Sequence, residues 1–219
     1  MAQAGTDAFA RRALKPAAWV GALAPLAWTV FDGATGGLGA DPVREVTLRT
    51  GFTTLTLLMC TLAVTPLRRV TGWNPLVQIR RTLGLFAFFY ACIHFSIYLF
   101  DQGFDVSFIA ADVAKHPWVT VGFTALLLLI PLAVTSTQKS IRRLGKRWTK
   151  LHRLVYLCAG LGVVHFYWLV KRDVREPLIF AAVWAALMLF RLPFASGAKK
   201  KQKQPTRVRP ARDATPQEG

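Results

Sequence analysis

His94, His152 and His165 are three of only four histidines in 219 residues, and all three fall inside long apolar segments. An ionisable side chain at membrane depth is costly and is a functional candidate by default. A neutral imidazole is also a common axial ligand for heme iron. Spacing narrows the chemistry. Thirteen residues separate His152 from His165, about 20 Å along a helix, against a hydrocarbon core of about 30 Å. One histidine then lies in each leaflet, which suits two redox stations across a membrane.

The elements that must carry them are apolar stretches at about residues 17–31, 46–66, 82–100, 118–135, 151–170 and 177–194. Most approach the roughly 20 residues of a spanning helix. The chain is 53% hydrophobic and 18% charged, with mean hydropathy +0.34, more apolar than an ordinary soluble domain. The expected fold is an all-α integral membrane protein, a bundle of six transmembrane helices. Residues 1–16 read as a cytoplasmic N-terminal segment, 17–194 as the membrane unit and 195–219 as a disordered basic cytoplasmic tail. Arg11, Arg12 and Lys15 resemble a signal-peptide flank. No small-x-small cleavage site follows, so the first segment reads as an uncleaved anchor.

The net charge of +17 is concentrated in short clusters. Arg68, Arg69, Arg80 and Arg81 follow the second stretch, and Lys139 to Lys150 follow the fourth, with no acid in either loop. Such loops stay in the cytoplasm, which puts both termini inside. That distribution also argues against nucleic-acid binding. Asp32, Asp41, Glu45, Asp101, Asp105 and Asp112 occupy the opposite loops. Counted from the cytoplasmic ends, His94 and His165 lie about 18 and 21 Å deep, at one level in the outer half. Two imidazoles on different helices at one level can clamp one iron from both faces.

His152 has no histidine at its level. His116, beside Pro117 in an outer loop, reads as a solvent-exposed or singly hydrogen-bonded side chain. Thirteen residues rotate an ideal helix by about 220°, so the fifth helix must bend or present two flanks. Tyr90, Tyr98, Tyr156, Tyr167 and Ser96 lie near enough to orient the histidines, although packing is the commoner role. Cys60, Cys92 and Cys158 have no CxxC spacing and read as packing residues. There is no CxxCH, HExxH, Walker loop or GxGxxG. Any heme is therefore non-covalent heme b, and the chain has no nucleotide domain.

The segments RRTLGLFAFFYACIH (80–94) and WTKLHRLVYLCAGLGVVH (148–165), with TPLRRVTGWNPL (65–76), resemble the MsrQ type of heme-binding membrane subunit. That type belongs to the bacterial methionine sulfoxide reductase system, within the ferric-reductase-like transmembrane domains. The resemblance implies one heme b or two, held by His94, His152 and His165, and an FMN. It implies a bacterial inner-membrane location. It also implies a quinol or a cytoplasmic flavin reductase as electron donor, and a periplasmic molybdopterin-containing methionine sulfoxide reductase as acceptor. Oxidases of the wider group carry two histidines on the third span, whereas Arg80 stands fourteen positions before His94. Arg80 and Arg81 are candidates for heme-propionate contacts, which suit arginine. Two other classes stay open: a self-sufficient membrane ferric or quinone reductase or other cytochrome b-type protein, and a transporter whose histidines relay protons.

Overall fold

The computed structural model describes residues 2–170 and 173–191. The tail expected at 195–219 and the loop cations Lys171 and Arg172 lie outside the described residues. Among those described there is no strand. The helices are α1 (Ala2–Thr35), α2 (Pro42–Thr71), α3 (Val77–Asp101), α4 (Val106–Lys115), α5 (Pro117–Val134), α6 (Gln138–Leu144), α7 (Lys146–Leu151), α8 (Leu154–Leu169) and α9 (Arg175–Leu189). A 3-10 turn, Asn74–Leu76, leads into α3.

Among the described residues, four helical stretches are long and apolar enough to cross a membrane: Arg12–Thr35, Pro42–Thr71, Asn74–Asp101 and Pro117–Val134. The two remaining expected spans correspond to α8 and α9, of 16 and 15 residues. Helix α7 runs into α8 through a tightened turn. There Arg153 N–H reaches Lys150 C=O (3.2 Å) and Tyr156 N–H reaches Arg153 C=O (3.1 Å), a three-residue closure that winds faster than an α-helix. His152 and His165 are therefore not carried by one regular helix.

Helix α2 packs along α3, and α5 along α8, with α9 laid against α8 and α2. The shared core joins Leu55, Leu58 and Leu62 to Ala87, Leu129, Cys158 and Ala159. Small residues at these contacts let helices approach where lipid offers no hydrophobic drive. The outward faces are apolar too: Val20, Leu127, Ile130, Leu157 and Ile179 are all exposed. That is the pattern of a helix bundle solvated by lipid rather than water. The interfacial loops also form short helices that hydropathy alone does not separate from loop. Asp105 caps α4, accepting Ser107 Oγ–H and N–H and Phe108 N–H, and these bonds hold its carboxyl below the usual range.

Beside two of the helix-interior prolines, Pro25 and Pro66, a distant side chain partners backbone groups of the disturbed turn. At Pro25 in α1, the Tyr90 hydroxyl of α3 inserts into the next turn. It accepts Leu26 N–H (3.0 Å) and donates to Ala22 C=O (2.7 Å). Pro66 in α2 has no N–H for Leu62 C=O, four residues earlier. The Arg191 guanidinium, after α9, donates to that carbonyl at 2.6 Å, and also to Leu187 C=O at 2.7 Å. It lies 4.8 Å over the Tyr156 ring.

This generates a double-mutant cycle. Arg191→Met leaves the Leu62 carbonyl unpartnered and is expected to cost about 1–3 kcal/mol. Adding Pro66→Ala restores an N–H and should recover most of that loss. Thermal unfolding in detergent measures both; additive losses would show that Arg191 does not serve this carbonyl.

Candidate functional site

His94 projects from α3 toward α2, and His165 from α8 toward α5. Their ring centroids are 6.2 Å apart with planes at 86°. His94 Nδ1 lies 2.9 Å from the Thr47 carbonyl oxygen, and His165 Nδ1 lies 2.7 Å from that of Trp118. A carbonyl oxygen only accepts, so each Nδ1 carries the proton and donates. Each neutral ring then keeps a bare lone pair on Nε2. Metal-binding histidines are typically oriented in this way, through the nitrogen that does not bind.

The two contacts share one construction. A carbonyl four residues before a glycine is approached from the side. Gly51 follows Thr47 by four positions, and Gly122 follows Trp118 by four. A Cβ built on Gly51 would lie 3.0 Å from His94 Cε1. One on Gly122 would lie 2.7 Å from His165 Nδ1, closer than real Cβ contacts come. Each imidazole therefore occupies the space a side chain would take. Glycine inside a transmembrane helix signals such close approach, and that signal was available in the sequence.

Both rings line one predominantly apolar cavity of about 320 Å³ between α2, α3, α5 and α8, with Tyr98, Asp112 and Trp118 also in its wall. Tyr98 Oη donates to Asp112 Oδ2 at 2.6 Å. His116 Nδ1 lies 2.6 Å from Asp112 Oδ1, and the His116 ring lies 4.7 Å from that of Trp118. The expected solvent-exposed or singly bonded His116 is thus one member of a three-residue cluster. Sequence reasoning missed this cluster, because Tyr98 and Asp112 are fourteen residues apart on different helices.

His152 lies at the other end of the bundle. Its ring stacks on Trp148, with centroids 3.8 Å apart. Its Nδ1 donates to Trp148 C=O at 3.1 Å, and its Nε2 is 3.4 Å from Ser136 Oγ. Trp148 Nε1–H in turn donates to Thr135 C=O. Arg80 and Arg81 begin α3, whereas His94 lies about 20 Å further along that helix. A group touching these arginines therefore does not sit between His94 and His165. None of the tyrosines nor Ser96 orients the paired rings: Tyr90 serves α1, Tyr98 serves Asp112, and Ser96 returns to Cys92 C=O. Among the described residues, no three His, Cys, Asp or Glu side chains cluster to hold a bare metal ion. The three cysteines are free.

Residues 50–163 match the ferric reductase like transmembrane component family. A protein-methionine-sulfoxide reductase heme-binding subunit MsrQ from Herminiimonas arsenicoxydans is 48% identical, covering 86% of this chain and 88% of the relative. The protein of that name from Ralstonia nicotianae is 51% identical over 83% and 85%. That from Deinococcus radiodurans is 49% identical over 82% and 89%. No solved structure matches the chain. With more than half its length inside the ferric-reductase-like component and near-half identity to relatives along most of its sequence, this multi-pass membrane protein belongs to the MsrQ family of subunits.

Proposed function

We propose that the chain holds one non-covalent heme b between His94 and His165 and carries electrons to a periplasmic, molybdopterin-containing methionine sulfoxide reductase. The observation that carries this reading is the pair of rings whose Nδ1 protons are both committed to backbone carbonyls. With the ring centroids 6.2 Å apart and Nε2 free on each ring, His94 and His165 would hold one iron between them. The apolar cavity wall fits a porphyrin, and heme binding is in the name of the relatives.

Heme would supply a one-electron carrier whose potential follows its ligands and surroundings. The chain does the rest. His94 Nε2 and His165 Nε2 would bind the iron, Thr47 and Trp118 hold the rings, and Gly51 and Gly122 leave room for them. The cavity's apolar wall would keep water from the metal. At the opposite end, His152, stacked on Trp148, would be the entry point for electrons from a quinol or a cytoplasmic flavin donor. Six crossings, with α7–α8 and α9 as the last two, put both termini in the cytoplasm of a bacterium's inner membrane. The basic clusters Arg68–Arg81 and Lys139–Lys150, both free of acids, support this.

Pyridine hemochrome analysis of acid–acetone extracts should find heme b. His94→Ala and His165→Ala should each abolish the low-spin bis-histidine spectrum, while His116→Ala retains it. A wild-type spectrum in either ligand variant would reject the pairing. Gly122→Ala should improve the intrinsic helix propensity by roughly 1 kcal/mol yet displace His165 from its carbonyl. The expected result is a several-fold loss of heme, with high-spin character in what remains. The acceptor is tested by reducing the protein and adding a sulfoxide substrate, with and without the periplasmic enzyme. Reoxidation that needs the enzyme supports the reading; equal reoxidation without it would make the chain a self-sufficient reductase.

A further inference from the structure

The cavity between His94 and His165 also has a carboxylate in its wall. Asp112 accepts the Tyr98 hydroxyl on one oxygen and His116 Nδ1–H on the other, both at 2.6 Å. Its side chain is only 16% exposed, whereas that of His116 is 43% exposed. The pair thus spans the cavity wall and the outside. Asp112 faces the site, and the His116 ring, with Nδ1 held on the carboxylate, is open to solvent protons. Trp118 joins the two halves, since its ring packs on His116 and its carbonyl holds His165.

We propose that Asp112 and His116 form a proton-accepting pair that binds one proton at His116 Nε2 when an electron enters the cavity. The inference rests on the heme reading above. One electron, from a quinol or reduced flavin, adds one negative charge inside a weakly polar wall, where charge is poorly screened. One proton from bulk water converts the His116 imidazole to imidazolium, and Asp112 stabilises that cation by a charge-assisted bond. Net charge is restored and no covalent bond of the protein breaks. The proton returns to water when the electron leaves for the acceptor. Tyr98 fixes the carboxylate from α3, so its hydrogen bond sets the pair's position rather than its proton count.

The ionisable groups around His116 are few. Helix α4 supplies Asp112, with the exposed Lys115 next in the chain, and α3 supplies Tyr98. Helix α5 has no ionisable side chain, and α8 offers His165, turned to the Trp118 carbonyl. Imidazole is the side chain whose charge changes in the physiological range.

The test is spectroelectrochemical titration of the full-length, heme-loaded protein in nanodiscs between about pH 5 and 8, the imidazole range. The reduced protein binds the proton more tightly, so the wild-type potential should fall as pH rises. Its slope should approach about 59 mV per tenfold change in proton concentration. His116→Gln and Asp112→Asn should both flatten that slope while keeping the low-spin absorption bands; Lys115→Gln should leave it unchanged. A flat wild-type potential with normal heme bands would overturn the proposal alone. A slope that survives His116→Gln would overturn it as well, including the case where only Asp112→Asn removes it, because the proton would then reside on the carboxylate. Wild-type protein without heme bands would instead overturn the heme reading, and this inference with it.

Discussion

The site depends on one hydrogen bond made twice: an imidazole Nδ1–H to a helix carbonyl of the neighbouring helix. The bond selects the tautomer and aims the ring, and it leaves Nε2 as the free base. It requires a carbonyl that is open sideways, although that carbonyl already belongs to a helical ladder. Glycine four residues later provides the opening in both α2 and α5. The helix pairs α2–α3 and α5–α8 are therefore more than a container for the cavity. Each supplies a ring from one helix and its holder from the other, so the separation of the rings depends on how the pairs pack together.

The same scarcity of partners governs the rest of the bundle. No water reaches the hydrocarbon region to satisfy a backbone group freed by proline. Leu62 C=O would be orphaned in isolation, and the Leu26–Ala22 rung next to Pro25 is opened and bridged. Arg191 and Tyr90 reach them from helices far away in sequence. A cation at 2.6 Å from a carbonyl, shielded by an aromatic ring, loses less by leaving water than a bare one would. These repairs tie α9 to α2 and α3 to α1, beside the aromatic pairs Phe52–Phe180 and Trp19–Phe86 at the same interfaces.

Much of this was legible in the sequence, and the limits have a physical cause. Apolar length and the positions of His94 and His165 are one-dimensional properties, so their common depth could be counted. What holds the rings could not, because every residue has a carbonyl and only packing selects Thr47 and Trp118. The tyrosines were plausible partners by type, yet the backbone fills that role. The tightened turn at His152 follows no Gly or Pro signal. Short helices such as α4 were hidden because ten residues of mixed polarity resemble a loop.

Asp112 shows how these constraints meet. A carboxylate beside an apolar cavity costs several kcal/mol unless its oxygens are occupied. Tyr98 and His116 occupy one each. Helix α4, which carries it, has no buried residue of its own, so hydrophobic packing alone holds it weakly. The Tyr98 bond is then a principal tie between α4 and α3, and this part of the cavity wall is held by a polar contact. A closure built from Leu or Phe would need no desolvated charge. The carboxylate instead needs both of its partners, and through His116 it links the cavity wall to the exposed surface.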